Sequence, residues 1–68
     1  MNSDVLKGQW KQVKGDIQKE WGKLTDSDVE KVGGERAKLE GSLQEHYGYA
    51  KEEAAKHVND FLKKFESR

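Results

Sequence analysis

Two stretches, GQWKQVKGDIQKEWG at residues 8–22 and GERAKLEGSLQEHYG at residues 34–48, decide how the chain is read. Sliding the sequence by 26 residues aligns Gly8 with Gly34, Gly15 with Gly41, Gln18 with Gln44, Gly22 with Gly48 and, further on, Val32 with Val58. The apolar positions follow: Val13 with Leu39, Ile17 with Leu43, Trp21 with Tyr47. The shared pattern is G-x4-[VL]-x-G-x-[IL]-Q-x2-[WY]-G. Amphipathic periodicity alone would match the apolar positions, but not the glycines and the glutamine in the same frame. The repeat spans about 8–32 and 34–58. Each half reads as a longer helix, a glycine turn and a second helix.

Working outward, the large apolar residues Val5, Trp10, Val13, Ile17 and Trp21 trace one stripe, which predicts a helix over about 4–21. Ser3 would cap it, Asp4 would favour its first turn, and Gly22 would close it in the left-handed conformation. Thr25-Asp26-Ser27-Asp28 has the spacing of a capping box, ahead of a short helix over 26–32 that Gly33-Gly34 ends. Leu39, Leu43 and Tyr47, with Ala37 beside them, predict a third helix over 35–47, closed by Gly48. Ala54, Val58, Phe61, Leu62 and Phe65 give the broad apolar face of a fourth, over 51–66, with Glu52–Lys56 and Asp60–Lys64 at ion-pair spacing. Nothing in the chain is proline. Two hairpins of one design can each bury an open apolar side on the other, so the expected architecture is all-α: two pseudo-twofold hairpins packed crosswise. Gly15 and Gly41, inside helices where glycine costs about 1 kcal/mol against alanine, either mark a close crossing of the long helices or are simply exposed.

The chain's 68 residues are expected to form one domain, burying only about 60% of the unfolded surface. The core must be thin. Without cysteine there is no disulfide framework and no zinc-thiolate site. Thirteen basic residues balance thirteen acidic ones, so no net field draws the molecule to nucleic acid or to an anionic membrane. No apolar run is long enough to span a bilayer, and Met1-Asn2-Ser3-Asp4 lacks the features of a secretory signal. The expectation is a cytoplasmic monomer.

Three segments, overlapping the repeat, carry a family resemblance: G-Q-W-K-Q-V-K-G (8–15), W-G-K-L-T-D-S-D (21–28) and L-Q-E-H-Y-G-Y (43–49). In these the chain resembles the CsbD-like family of small bacterial stress-response proteins, essentially from end to end. The resemblance implies a compact four-helix fold, accumulation under general stress or in stationary phase, and a bacterial cytoplasmic setting. It implies no enzymatic activity, no catalytic residue and no cofactor. His46 departs from the family, where an arginine is common at that position, so no role for a cation there is implied.

The residues themselves offer little chemistry. His46 and His57, eleven residues apart across a helix break, match no compact metal-ligand spacing; His57 is expected to edge the core near Phe61. The serines lack a base and an orienting acid placed with them, and Gly33-Gly34 lacks the partners of a phosphate loop. Trp10 and Trp21 lie on the stripe and read as core. Tyr49, just past the Gly48 turn, is the better candidate for an exposed contact, and Lys7, Lys11 and Lys14 share a helix face. These four residues form the candidate interaction surface. Asp4, Asp16 and Glu20 dilute the lysine face, and with the aromatics assigned to the core, nucleic-acid binding is the weaker reading of it. A stress protein acting by abundance or by binding an unidentified protein leads. A hydrophilin-like protectant, suited by strong hydrophilicity and seven glycines, is the alternative, and a weak nucleic-acid-binding module the second.

Overall fold

The stripe that reads as one helix over 4–21 is two helices. In a computed structural model, which describes the backbone of residues 3–67 and the side chains of 6–67, α1 spans Ser3–Gly8 and α2 spans Trp10–Glu20. Between them Gln9 leaves the helical region at φ −121°, ψ 32°. Gly8, the weakest helix former short of proline, makes the break inexpensive, and α1 then folds onto the C-terminal helix. That swing seats Leu6 fully in the core and brings Lys7 against Gly34. A Cβ on Gly34 would stand 3.3 Å from the Lys7 Cα. The side chains of Ser3, Asp4 and Val5, and with them the expected cap and the head of the stripe, lie outside the described residues.

The remaining helices are α3 (Asp26–Val32), α4 (Arg36–Tyr47) and α5 (Lys51–Glu66), close to the expected 26–32, 35–47 and 51–66. Among the described residues the fold is all-helical. The α3 start is the capping box its sequence spells: the Thr25 hydroxyl accepts from the Asp28 amide at 3.2 Å, and Asp28 Oδ2 accepts from the Thr25 amide at 3.0 Å. These bonds satisfy orphan donors of the first turn. Gly33 and Gly48 close α3 and α4 in the left-handed conformation, φ 54° and 72°.

Gly22 does not take the left-handed conformation expected of it. The chain leaves α2 through Trp21 (φ −124°, ψ 83°), whose carbonyl accepts the Leu24 amide at 3.0 Å, and this turn carries Leu24 back into the core and reaches the Thr25 cap within a few residues. Burial of that leucine decides the exit.

Part of the core follows the 26-residue offset. Leu6, Val32 and Val58 occupy equivalent positions at the 26-residue offset and are fully buried, as are Val13 with Leu39 and Ile17 with Leu43. Ala37, expected beside the α4 stripe, is exposed. α5 packs along α4 and touches α1, while α3 bridges α2 and α4. Phe61 meets Trp21 with ring centroids 5.0 Å apart, tilted by 52°. Lys64, rather than pairing with Asp60, reaches Glu20 on α2 at 3.3 Å. Arg36 ties the start of α4 to α5 by donating to the Ala55 carbonyl at 3.1 Å while its Nε holds Glu40 at 2.7 Å. Gly15 and Gly41 mark no close crossing: both are exposed, and a Cβ on either would meet nothing within 4 Å.

Candidate functional site

Tyr49 stands one residue before the α5 cap, so its ring lies along the first turns of that helix. There His57 stacks on it almost flat, 4.3 Å between centroids and 9° between planes. On its other side Tyr47, at the end of α4, lies 5.4 Å away and 18° from parallel. The Tyr47 hydroxyl accepts the Lys23 amide proton at 3.2 Å, and the Lys23 ammonium sits 5.1 Å from the centre of the same ring. A ladder of Lys23, Tyr47, Tyr49 and His57 therefore joins the α2–α3 turn, the α4 end, the α4–α5 turn and α5. Both tyrosines are half-buried, so ring area remains open to solvent. His57 is exposed on this ladder, where sequence reasoning placed it at the core edge near Phe61. Lys23 and His57 were not legible as site residues. Only the nearness of Tyr47 and Tyr49 across the Gly48 turn gave a signal.

His46 faces the other way. Its Nε2 lies 3.2 Å from Asp28 Oδ2, with Glu45 more distant at 3.9 Å, so α4 is latched to the α3 cap. The Thr25 amide, then the Thr25 hydroxyl and then His46 hold the Asp28 carboxyl below its ordinary value of 3.8. An acid beside an imidazole invites a catalytic reading, but this acid serves a helix cap. Among the described residues no three His, Asp or Glu stand close enough to hold a metal ion.

The break at Gln9 divides the lysine face. Lys14 pairs with Glu30 at 2.9 Å, which raises its pKa above the usual 10.5 and ties α2 to α3. Lys7, on α1, and Lys11, on α2, instead line, with Trp10, an open groove of about 550 Å³ lined also by Gly8, Gln9 and Gln12. Trp10, expected in the core, is only half-buried: it packs against the core while lining the groove. A second groove of about 400 Å³ lies on the other side of Lys7, beside Gly34, Glu35 and Arg36. Glu35, held mainly by Lys38, also feels Lys7 from there. Thus Lys7, Lys11 and Trp10 share one surface. Tyr49 belongs to the separate ladder.

Known proteins are similar to this chain in sequence over most or all of its length. The UPF0337 protein YjbJ of Escherichia coli is 47% identical over 68 residues, covering 100% of this chain and 99% of the relative. A UPF0337 protein of Pseudomonas aeruginosa is 52% identical over 61 residues, 90% of this chain and 94% of the relative. One of Protochlamydia amoebophila is 47% identical over 64 residues, 94% and 97% respectively. The CsbD-like family itself is matched over residues 4–56, from α1 into the first turns of α5, and the chain belongs to that family.

Proposed function

We propose that this CsbD-like chain is a non-enzymatic binding protein of the bacterial general stress response, acting as a cytoplasmic monomer through a surface that its fold assembles. The observation that carries the reading is the Lys23–Tyr47–Tyr49–His57 ladder. Four groups from separate segments stack into a shape that exists only in the folded chain, and leave aromatic area half open. Aromatic rings held rigidly beside a cation are a usual anchor in protein contacts. We further read the two halves as pseudo-twofold hairpins packed crosswise, which would place the ladder at the end of the second half.

The competing reading is a hydrated protectant, to which 38% charged residues and a mean hydropathy of −1.13 are suited. It needs no fixed surface. Circular dichroism melting at 222 nm with proton NMR separates the two. A cooperative transition and dispersed indole signals are expected. A sloping melt with collapsed indole signals would favour the protectant. Stress survival of the producing bacterium gives the second check: Tyr49→Ala should impair it if the ladder is a contact, whereas a protectant should tolerate any change that keeps overall polarity.

A further inference from the structure

The groove at the α1–α2 break combines features that the linear sequence keeps apart. With all aromatics in the core, the lysine face would have no ring to offer a ligand. Trp10, half-buried and lining the groove together with Lys7 and Lys11, supplies one. Gly8 leaves the neighbouring wall low, since a Cβ there would meet nothing within 4 Å. The Gln9 side chain does not cap the first turn of α2, so the positive end of that helix dipole faces the break. Gln9 and Gln12 add amide groups that can donate and accept.

We propose that this groove binds single-stranded nucleic acid, an unpaired base stacking on Trp10 while Lys7 and Lys11 contact the phosphates on either side. The proposal rests on the reading of the chain as a binding protein and names a ligand class for one of its surfaces. An aromatic face beside cations is the arrangement by which proteins hold single strands without sequence preference. Duplex bases are already stacked and could not reach the ring. A membrane surface is a poorer fit, because among the described residues Trp10 is the one large apolar group lining the groove and its neighbours there are lysine, glutamine and glycine. Balanced net charge and Glu35 beyond Lys7 keep the interaction weak and local.

The test is fluorescence anisotropy of a labelled twelve-nucleotide oligo(dT) at about 20 mM salt, with the purified chain and variants whose melts are recorded in parallel. Two phosphate contacts predict a log–log salt slope of about −1.4, at roughly 0.7 per phosphate for single strands. Trp10→Leu, which keeps an apolar side chain against the core but removes the ring, should weaken binding about fivefold or more. Trp10→Phe should restore most of it, and Lys11→Gln should weaken it and flatten the slope. In unmodified protein, the Trp10 indole signal should shift on titration while the buried Trp21 signal stays in place.

Absence of a saturable signal up to about 1 mM protein, with a cooperative melt intact, would overturn the nucleic-acid inference and leave the binding-protein reading standing. A non-cooperative melt would undo both. Equal binding by Trp10→Leu, or equal competition by inorganic polyphosphate, would reduce the site to a phosphate contact and sink base stacking. Preference for phosphatidylglycerol vesicles over the oligonucleotide would assign the groove to a membrane surface instead.

Discussion

The two halves carry the same pattern and end differently. At the close of α2, Trp21 turns inward onto Phe61, almost wholly buried, and the chain exits in a turn through a Gly22 that is not left-handed. At the close of α4, Tyr47 stays half out, its hydroxyl on the Lys23 amide, and Gly48 turns left-handed at φ 72°. The second helices diverge further, for α3 has 7 residues and α5 has 16. The added length carries Phe61, Leu62 and Phe65, which cover the core that a short α3 cannot reach. The shared pattern, therefore, goes with burial at Val13 and Leu39 and at Ile17 and Leu43, but not with how each half ends. Exits are set by what the next segment must bury: Leu24 after α2, and the α5 face after α4.

The largest test of this comparison strikes the positions where the halves agree. Ile17→Ala and Leu43→Ala each remove a fully buried side chain and should each cost about 2–5 kcal/mol by denaturant unfolding. One transition is expected in both variants, because the core is shared. A variant that unfolds in two steps would show that the halves are separate units. Next come the glycines where the halves disagree. Gly48→Ala forces a side chain into the left-handed region and should cost about 1–2 kcal/mol, whereas Gly22→Ala should stay within about 0.5 kcal/mol of the parent. Equal losses at the two sites would mean that the α2 exit is closer to the α4 exit than its dihedrals indicate.

This contrast also marks what sequence could tell. The Thr25-to-Asp28 box, the end of α3 at Gly33, the left-handed Gly48, and the spans of α3, α4 and α5 rest on local rules, and local rules held there. Gly22 carries the same local signal as Gly48, and failed because a tertiary contact through Leu24 overrode it. The break at Gln9 was invisible for a related reason: Trp10, Val13, Ile17 and Trp21 keep helical spacing, and what ends the helix is the gain from seating Leu6 and laying α1 on α5. Of the candidate surface, Tyr49 was legible as a position after a turn. Its stack on His57 and Tyr47 was not, since it joins segments that periodicity treats separately. Trp10 was read as core from its place on the stripe, and only the break exposes one side of it.

Helix starts sharpen the comparison at smaller cost. Thr25 gives α3 a complete box, while α5 begins at Ala50, which has no side-chain acceptor; only Glu53 reaches back, to the Ala50 amide at 3.0 Å. Thr25→Ala should cost about 1 kcal/mol, and Ala50→Ser should gain roughly 0.5–1 kcal/mol by completing the second box. The first box also depends on pH. The Asp28 carboxyl is held below 3.8 in the folded chain, so its contribution is present above that value and fades as pH falls through the lower folded value. Melts of Asp28→Asn and parent should therefore stay separated from neutral pH down to about 5 and converge below about 4. A gap that persists at low pH would assign the Asp28 effect to shape rather than charge.

The smallest effects belong to Gly15 and Gly41, the repeated glycines that a close helix crossing would explain. Both Cβ positions open onto empty space, and neither residue has positive φ. Alanine at each should therefore raise stability by up to about 1 kcal/mol through helix propensity and reduced unfolded-state freedom. In a domain this size that is a gain of roughly 4–8 °C per kcal/mol. If α2 and α4 do approach closely in solution, the double substitution would lower the melting temperature instead. A rise at one site and a fall at the other would be the more informative break, because it would show that the repeat hides a one-sided contact, as Gly34 against Lys7 already does at the α1 junction.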